Sequence, residues 1–106
     1  MQNDMPSDHE LIRKFQKGDP DAFDEIVRRH LPNVMGFFIN VTRDEMAAED
    51  LAQDVFYKLY KHLKRFRFES AFTTYLYRIN TNTANSWITR NKLRNLLHLD
   101  QTPDRW

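Results

Sequence analysis

The 106-residue chain contains no cysteine, only two glycines and four prolines. Without cysteine it can form no disulfide, thiol nucleophile or Cys-based zinc site. So few glycines and prolines leave little material for hairpin turns, which favours helices. The longest apolar run is three residues, far short of the ~20 that span a membrane. The polar start MQNDMPSDHE lacks the pattern of a secretory signal. These absences predict a soluble, helical, cytoplasmic protein.

The near-neutral net charge of +1 conceals a strong asymmetry along the chain. Residues 1–57 hold 6 basic and 12 acidic side chains, whereas residues 58–106 hold 10 basic and 3 acidic ones. This division indicates an acidic half that docks on a protein and a basic half that approaches phosphates. Two ordinary solvated surfaces would give the same counts. With 41% apolar residues, the length suits one domain with a modest core.

Capping signals mark the starts of the first two predicted helices. Ser7 followed by Glu10 forms a capping box, in which each side chain bonds the backbone N–H of the other residue. Asp19-Pro20 places a capping carboxylate and a first-turn proline before a long apolar helical pattern. Pro32 lies inside that pattern and lacks the N–H that a helical hydrogen bond requires. We therefore expect a kink or a break near His30.

Two more helices follow, each with its own predicted cap. Thr42 with Glu45 forms a second capping box, which opens a helix over about residues 44–64. Ser70 can cap a last long helix over about residues 71–94. The inward-facing residues of the third helix are Ala48, Leu51, Ala52, Val55, Leu59 and Leu63. Because no strand pattern or repeat is present, the predicted fold class is all-α, a compact bundle of about four helices.

Sequence signatures of catalysis and of metal binding are missing. The histidines at positions 9, 30, 62 and 98 form no HExxH or similar pair. Gly18 and Gly36 provide no glycine-rich phosphate loop, and no serine stands in a nucleophile-elbow context. We therefore predict a binding protein without metal or other cofactor. The alternative is a small helical enzyme, and its cheapest test is a search for bound metal or cofactor in the purified protein.

Acidic and amide side chains share one face of the third predicted helix, opposite its apolar residues. Glutamine and tyrosine among the charges give a face that can desolvate, and the clustered acids suit a partner surface rich in Arg and Lys. An ordinary solvent-exposed face is the alternative. The residues of this face are Asp50, Gln53, Asp54, Tyr57 and Lys61.

Cations alternate with aromatic residues in the segment KRFRFESAFTTY, which links the third and fourth helices. Cations neutralise phosphates, and aromatic rings stack on unpaired bases for about 1–3 kcal/mol each. The segment therefore suits single-stranded nucleic acid. The alternative is that the rings fill the core where two helices meet, Phe72 above all. The residues concerned are Lys64, Arg65, Phe66, Arg67, Phe68, Phe72 and Tyr75.

The last helix is unusually rich in Asn and Thr, which are poor helix formers. Its run Asn80-Thr81-Asn82-Thr83 is followed by Asn85, and a helix that accepts this penalty is expected to use the side chains. Asparagine suits pairing to base edges, and arginine suits phosphate or guanine. The alternative is that the amides bond neighbouring helices. A single polar stripe at helical spacing contains Arg78, Asn82, Asn85 and Thr89.

These segments, taken together, resemble region two of bacterial sigma-70 family sigma factors, and most closely the extracytoplasmic function (ECF) group. The resemblance is carried by DLAQDVF followed by RFRFESAFTTYLYRINTNTANSW. The earlier ELIRKFQKGDPDAFDEIVRRHLPNV is similar to the N-terminal helices of that group. The resemblance covers roughly residues 8–92. It implies that the chain directs transcription initiation by recognising and melting the minus-ten promoter element.

The resemblance also implies a role for each segment. The DLAQDVF helix would dock on the clamp helices of the RNA polymerase β′ subunit, through Asp50, Gln53 and Asp54, with Tyr57 in addition. The following turn would capture a flipped base of the non-template strand. The turn residues at matching positions are Phe66, Phe68, Ser70, Ala71, Phe72 and Thr74.

Further roles fall on the last helix. Tyr75 would lie near the melting fork, and Asn82 and Asn85 would read the duplex at the upstream edge of the element. The residues that would hold backbone phosphates are Arg78, Arg90, Lys92 and Arg94. Many ECF sigma factors are held by an anti-sigma factor, so such a partner is expected here. The alternative is a helical module that binds polymerase or an anti-sigma factor without reading DNA sequence.

The resemblance departs from the family at the end of the chain. The family's second DNA-binding domain, a helix-turn-helix that reads the minus-thirty-five element, has no counterpart after PDRW. We expect a piece of a longer protein. Residues 1–97 would form the sigma region 2 helical domain, and residues 98–106 would begin the interdomain linker.

Overall fold

The computed structural model describes residues 5–97, which form four α-helices and one 3₁₀ turn. Helix α1 spans Asp8–Gln16, α2 Pro20–Thr42, α3 Glu45–His62 and α4 Phe72–Leu96, and the 3₁₀ turn Leu63–Arg65 follows α3. The predicted all-α bundle of about four helices is confirmed. The predicted linker over residues 98–106 lies outside the described residues. No helix within residues 5–97 has the length and apolar character to cross a bilayer.

The first two helices begin as their sequence signals predict. Glu10 N donates to Ser7 Oγ over 3.1 Å, and Ser7 N donates to Glu10 Oε1 over 2.8 Å, which completes the capping box. Asp19 Oδ1 accepts from Asp21 N at 3.0 Å, with Pro20 in the first turn of α2. Between the helices Gly18 has a φ of +104°, a left-handed conformation that favours glycine. Local chemistry therefore sets the joint between α1 and α2.

Two predicted caps are wrong. Thr42 is still part of α2, and its hydroxyl donates back to Phe38 O at 2.8 Å. Asp44 caps α3 instead, since its Oδ1 accepts from Met46 N at 3.0 Å. At α4 the capping position falls on Ala71, which has no side-chain acceptor. Ser70 stands one residue too early, and its hydroxyl donates to the Ala71 carbonyl.

Of the kink or break predicted near His30, the break is absent. Helix α2 runs through Pro32 without interruption. Pro32 is exposed, so the carbonyl deprived of its helical partner faces the solvent side of the helix. Ile26 before the proline and Val34 and Phe38 after it are fully buried, which holds both halves of α2 against the same core.

The core forms where α2 packs against α1, α3 and α4, and α3 packs against α4. All six residues of α3 and the following turn that were predicted to face inward are buried. His30 is buried as well, with its Nε2 2.9 Å from Asp8 Oδ1 and its ring edge-on to Phe72. Arg29 Nη1 contacts the same Asp8 oxygen at 3.2 Å. These contacts join α1, α2 and the first turn of α4 beside the segment that links α3 to α4.

Candidate nucleic-acid interface

An open cavity of about 560 Å³ lies beside the segment of residues 63–71, called here the α3–α4 turn. This volume is within the range of small-ligand sites, about 300–1,000 Å³. Aromatic rings and cations both contribute to its wall. The cavity is lined by His62, Arg65, Phe66, Arg67, Glu69, Ser70, Tyr75 and Arg78. This lining suits a ligand that has a flat ring, polar atoms at the edge of the ring and an attached anion.

Tyr75 and Phe66 form the aromatic part of the cavity wall. Their ring centroids are 4.8 Å apart with planes tilted by 60°. Burial raises the pKa of the Tyr75 hydroxyl, because desolvation disfavours the phenolate. Tyr75 is protonated at neutral pH, as any tyrosine with a pKa of about 10 or above is, and its hydroxyl can donate a hydrogen bond to a ligand. Phe66 is buried and offers only the small exposed part of its ring.

The three phenylalanines of the turn region do not share one role. Phe72 is only 2% exposed and packs against His30 and Phe66, so it belongs to the core. The predicted base contact of Phe72 is therefore unavailable in this conformation, because protein covers its ring. For Phe66 and Phe72 the core alternative from the sequence describes the structure better than open stacking.

Phe68 points away from the cavity and toward α1. It has a φ of +60°, a left-handed conformation that costs a bulky residue about 1–3 kcal/mol. The guanidinium carbon of Arg13 lies 4.3 Å from the Phe68 ring centroid, and the His9 ring meets it edge-on at 5.1 Å. Phe68 is absent from the cavity lining. Contacts with α1 therefore hold this strained residue in place.

The cations of the turn are distributed between the cavity rim and α1. Arg65 and Arg67 are exposed at the rim. Arg67 pairs with Glu69 at 3.8 Å, but both side chains are more than three-quarters exposed, so this pair is weak and can yield to a phosphate. Lys64 Nζ instead lies 5.6 Å from the centroid of Phe15. Two other predicted contact residues are exposed, Ala71 at the end of the turn and Thr74 in the first turn of α4.

The polar stripe predicted on α4 is present on its surface. Arg78, Asn82, Asn85 and Thr89 are all exposed. Arg90 and Lys92, predicted to hold phosphates, are exposed further along the helix. This continuous row of amides and cations starts at the cavity, since Arg78 also lines it.

Two other members of the Asn/Thr run turn into the bundle. Thr83 is 2% exposed, and its Oγ1 accepts from Lys58 Nζ on α3 at 2.9 Å. Asn80 is buried too, and its Oδ1 has no hydrogen-bond partner within residues 5–97. The alternative in which this run faces neighbouring helices therefore describes Thr83 and Asn80, whereas Asn82 and Asn85 are exposed. Asn82 and Asn85 remain available to a ligand.

The predicted docking face is exposed on α3. Asp50, Gln53, Asp54 and Tyr57 all reach solvent, and Lys61 Nζ lies 5.2 Å from the Tyr57 ring centroid. Neither Asp50 nor Asp54 forms an ion pair inside the described range 5–97. Their charges are therefore available to a cationic partner. A groove of about 230 Å³ between α3 and α4 is lined by Asp50, Asp54, Trp87, Arg90 and Arg94, among others.

Residues of α1 that no sequence pattern singled out support the site. Gln16 Nε2 donates to two carbonyls of the α3–α4 turn, Leu63 O at 3.1 Å and Phe66 O at 3.0 Å. His9 and Arg13 contact the aromatic rings of the same turn. These residues lie some fifty positions earlier in the chain, and no local pattern links them to the turn. Across residues 5–97, no three His, Asp or Glu side chains gather as a metal site.

Comparison with known proteins gives consistent matches. The family model described as Sigma-70 region 2 matches residues 26–94. The chain is 42% identical over 77 residues to an RNA polymerase sigma-H factor of Pseudomonas aeruginosa, covering 73% of this chain and 40% of that protein. It is 39% identical over 84 residues to an ECF RNA polymerase sigma-E factor of Haemophilus influenzae, covering 78% and 43%. The chain thus spans less than half the length of these relatives.

A solved structure matches the fold as well. It is the NMR structure of an engineered region 2 of sigmaE in complex with GTAAAA. The match has a TM-score of 0.78 and 30% sequence identity, and covers 90% of this chain and 98% of that one.

Proposed function

The chain belongs to the sigma-70 family, as a region 2 domain of the ECF group, and from this we propose that it recognises and melts the minus-ten element of promoters. One observation carries the proposal. The α3–α4 turn forms a nucleotide-sized cavity with an aromatic wall and a cationic rim, next to an exposed amide stripe. The similarity to a sigmaE region 2 that was solved with GTAAAA supports DNA as the ligand.

The proposed mechanism is base capture. A non-template base leaves the duplex, which costs a few kcal/mol of unpairing and unstacking. It enters the cavity, where Tyr75 supplies a stacking face and a hydroxyl donor, and Ser70 adds a polar contact. The exposed Thr74, which does not line the cavity, is assigned a contact to the neighbouring nucleotide. Aromatic stacking contributes about 1–3 kcal/mol, which offsets much of that cost. Arg65 and Arg67 at the rim then neutralise the neighbouring phosphates.

Duplex reading is assigned to α4. Asn82 and Asn85 can each pair with the edge of a base through the donor and the acceptor of the amide. Arg78, Arg90 and Lys92 lie along the same exposed surface and neutralise backbone phosphates. Phe72 is omitted from the proposed interface, because it is buried in the core.

Docking on polymerase is assigned to α3. We propose that Asp50, Gln53, Asp54 and Tyr57 bind the clamp helices of the β′ subunit. Support comes from the exposure of all four and from the two unpaired carboxylates, which suit a cationic surface. The site of action would then be the cytoplasm. Exposed aromatic rings, such as Tyr57 and Tyr77, are also suitable contacts for an anti-sigma factor.

Fluorescence anisotropy with short single strands tests the proposal. The first probe is labelled GTAAAA, with each base replaced in turn by another base or by an abasic site, at two salt concentrations. We expect a sharp loss of affinity at one or two positions. Weak binding that depends steeply on salt and ignores sequence would contradict base capture by this chain. It would favour the alternative of a module that binds polymerase or an anti-sigma factor only.

A further inference from the structure

Helix α1 lies outside the segment 26–94 that matches the family model, yet it braces the α3–α4 turn. Gln16 bonds the carbonyls of Leu63 and Phe66, and Arg13 covers the Phe68 ring. His9 contacts both Phe66, at 5.7 Å, and Phe68, at 5.1 Å. The cavity wall is therefore held from behind by a helix that does not line the cavity.

Gln16 makes the only side-chain hydrogen bonds from α1 to this turn within residues 5–97. Its amide nitrogen carries two hydrogens, so one atom can serve both carbonyls. Leu63 begins the 3₁₀ turn, and Phe66 follows that turn in the cavity wall. The two acceptors therefore flank Lys64 and Arg65. Phe66 N also donates to Leu63 O at 3.0 Å, so these bonds form one connected cluster. Because Phe68 two residues later is in a strained conformation, the turn depends on such external support.

We propose that Gln16 is a positioning residue for base capture: it fixes the Phe66 side of the cavity and so sets base selectivity, without touching DNA. This inference rests on the function proposed above. Loss of the amide donors would leave Phe66 O without this partner and Leu63 O with Phe66 N alone, and would let the turn relax. The cavity wall would then lose its shape, while the phosphate-binding cations would stay on the surface. Selectivity would fall more than total binding.

The decisive comparison is Gln16→Glu against Gln16→Lys. The glutamate carboxylate matches the glutamine amide in size, but it only accepts hydrogen bonds and so cannot bond the two carbonyl oxygens. The lysine ammonium group can donate to both of them. The measured quantity is the ratio of affinities for GTAAAA and for the same strand with an abasic site at its most sensitive position. This ratio cancels the general attraction of an added positive charge. We expect Gln16→Glu to lower the ratio about tenfold, and Gln16→Lys to keep it within about twofold of wild type.

Asp8→Ala is the matched control for general loosening of α1. It removes the contacts of α1 to Arg29 and His30 but leaves those to the turn. We expect it to lower the thermal midpoint and to keep the ratio, measured at a temperature where all variants are folded. An equal fall of the ratio in Asp8→Ala and Gln16→Glu would overturn the specific role of Gln16. A wild-type ratio in Gln16→Glu would do the same.

A second readout needs no DNA. Arg65 and Arg67 are exposed in the turn, so trypsin cleavage after them reports its opening. We expect faster cleavage at these two sites in Gln16→Glu than in wild type or Asp8→Ala, as identified by mass spectrometry. Unchanged cleavage would overturn the positioning role. A wild-type protein without base preference would contradict base capture as well as the role of Gln16. A wild type with base preference, beside a Gln16→Glu variant with the same preference, would contradict the role of Gln16 alone.

Discussion

Lys58 Nζ on α3 donates a hydrogen bond of 2.9 Å to Thr83 Oγ1, a hydroxyl buried on α4. The bond joins the helix proposed to dock on polymerase to the helix proposed to read DNA. It also ties a cation of α3 to the inward side of α4, away from the exposed docking face. The relative placement of the two surfaces therefore depends in part on a buried polar contact.

We predict that Lys58→Met destabilises the protein by about 1–2 kcal/mol, because the Thr83 hydroxyl loses its partner in the core. Thr83→Val removes the hydroxyl and keeps the shape. Urea denaturation of both single variants and of the double variant gives the coupling between the two side chains. We expect a coupling of about 1 kcal/mol. Additive effects would show that the bond contributes nothing to stability.

Substitution of Gln53 tests the docking face. We predict that Gln53→Ala weakens binding to core RNA polymerase, with a loss of about 1–2 kcal/mol if the amide is desolvated at the interface. Its thermal midpoint should match wild type, since Gln53 is exposed. Asn33→Ala, an exposed amide on α2, is the control. Equal polymerase binding by wild type, Gln53→Ala and Asn33→Ala would remove Gln53 from the interface.

Much of the fold could be predicted because its signals are local. The capping box at Ser7, the Asp19-Pro20 start and the apolar spacing of α3 each depend on residues a few positions apart. The two wrong caps show the limit of this approach. Asp44 and Thr42 both carry a suitable oxygen, and only the actual end of α2 decides which of them is free to cap α3.

The site was less predictable, because tertiary contacts decide which side chains remain available. Phe72 and Phe66 belong to an aromatic-rich segment, and sequence alone cannot tell a stacking ring from a core ring. The neighbours that cover Phe72 include His30 on another helix. No sequence pattern indicates the role of Gln16, since its two acceptors are backbone carbonyls some fifty residues away. Periodicity did separate the exposed Asn82 and Asn85 from the apolar side of α4.

The exposed amides of α4 should affect sequence preference more than electrostatics. We predict that Asn82→Ala combined with Asn85→Ala changes the preference among duplex minus-ten variants by about 1–3 kcal/mol. The slope of log affinity against log salt should stay at the wild-type value. Lys92→Ala is the contrasting control, with uniformly weaker binding and a slope reduced by about one.

These two kinds of variant give opposite signatures, and titrations of polymerase-bound protein at several salt concentrations separate them. If the double asparagine variant retained the wild-type preference, the two amides would have a structural role only. If it instead reduced the salt slope, they would act at the phosphates.

The pKa of Tyr75 leads to a prediction about alkaline stability. Burial raises this pKa above its usual 10.0, so the folded protein holds the phenolic proton more tightly than the unfolded chain does. The resulting stability is complete below the unfolded pKa and is lost as pH rises through the folded pKa. We therefore predict that the thermal midpoint of wild type, relative to that of Tyr75→Phe, falls as the pH rises above about 10.

The comparison between variants is needed because other groups titrate in the same range. Tyr57→Phe serves as the matched control, since it removes one hydroxyl from a ring that is 63% exposed on α3. Differential scanning calorimetry at each pH gives two differences in thermal midpoint, one between wild type and Tyr75→Phe and one between wild type and Tyr57→Phe. The Tyr75 difference should change with pH more than the Tyr57 difference does. Equal pH dependence would mean that ionising Tyr75 costs the folded state nothing extra, and that the cavity wall is as well solvated as the open surface.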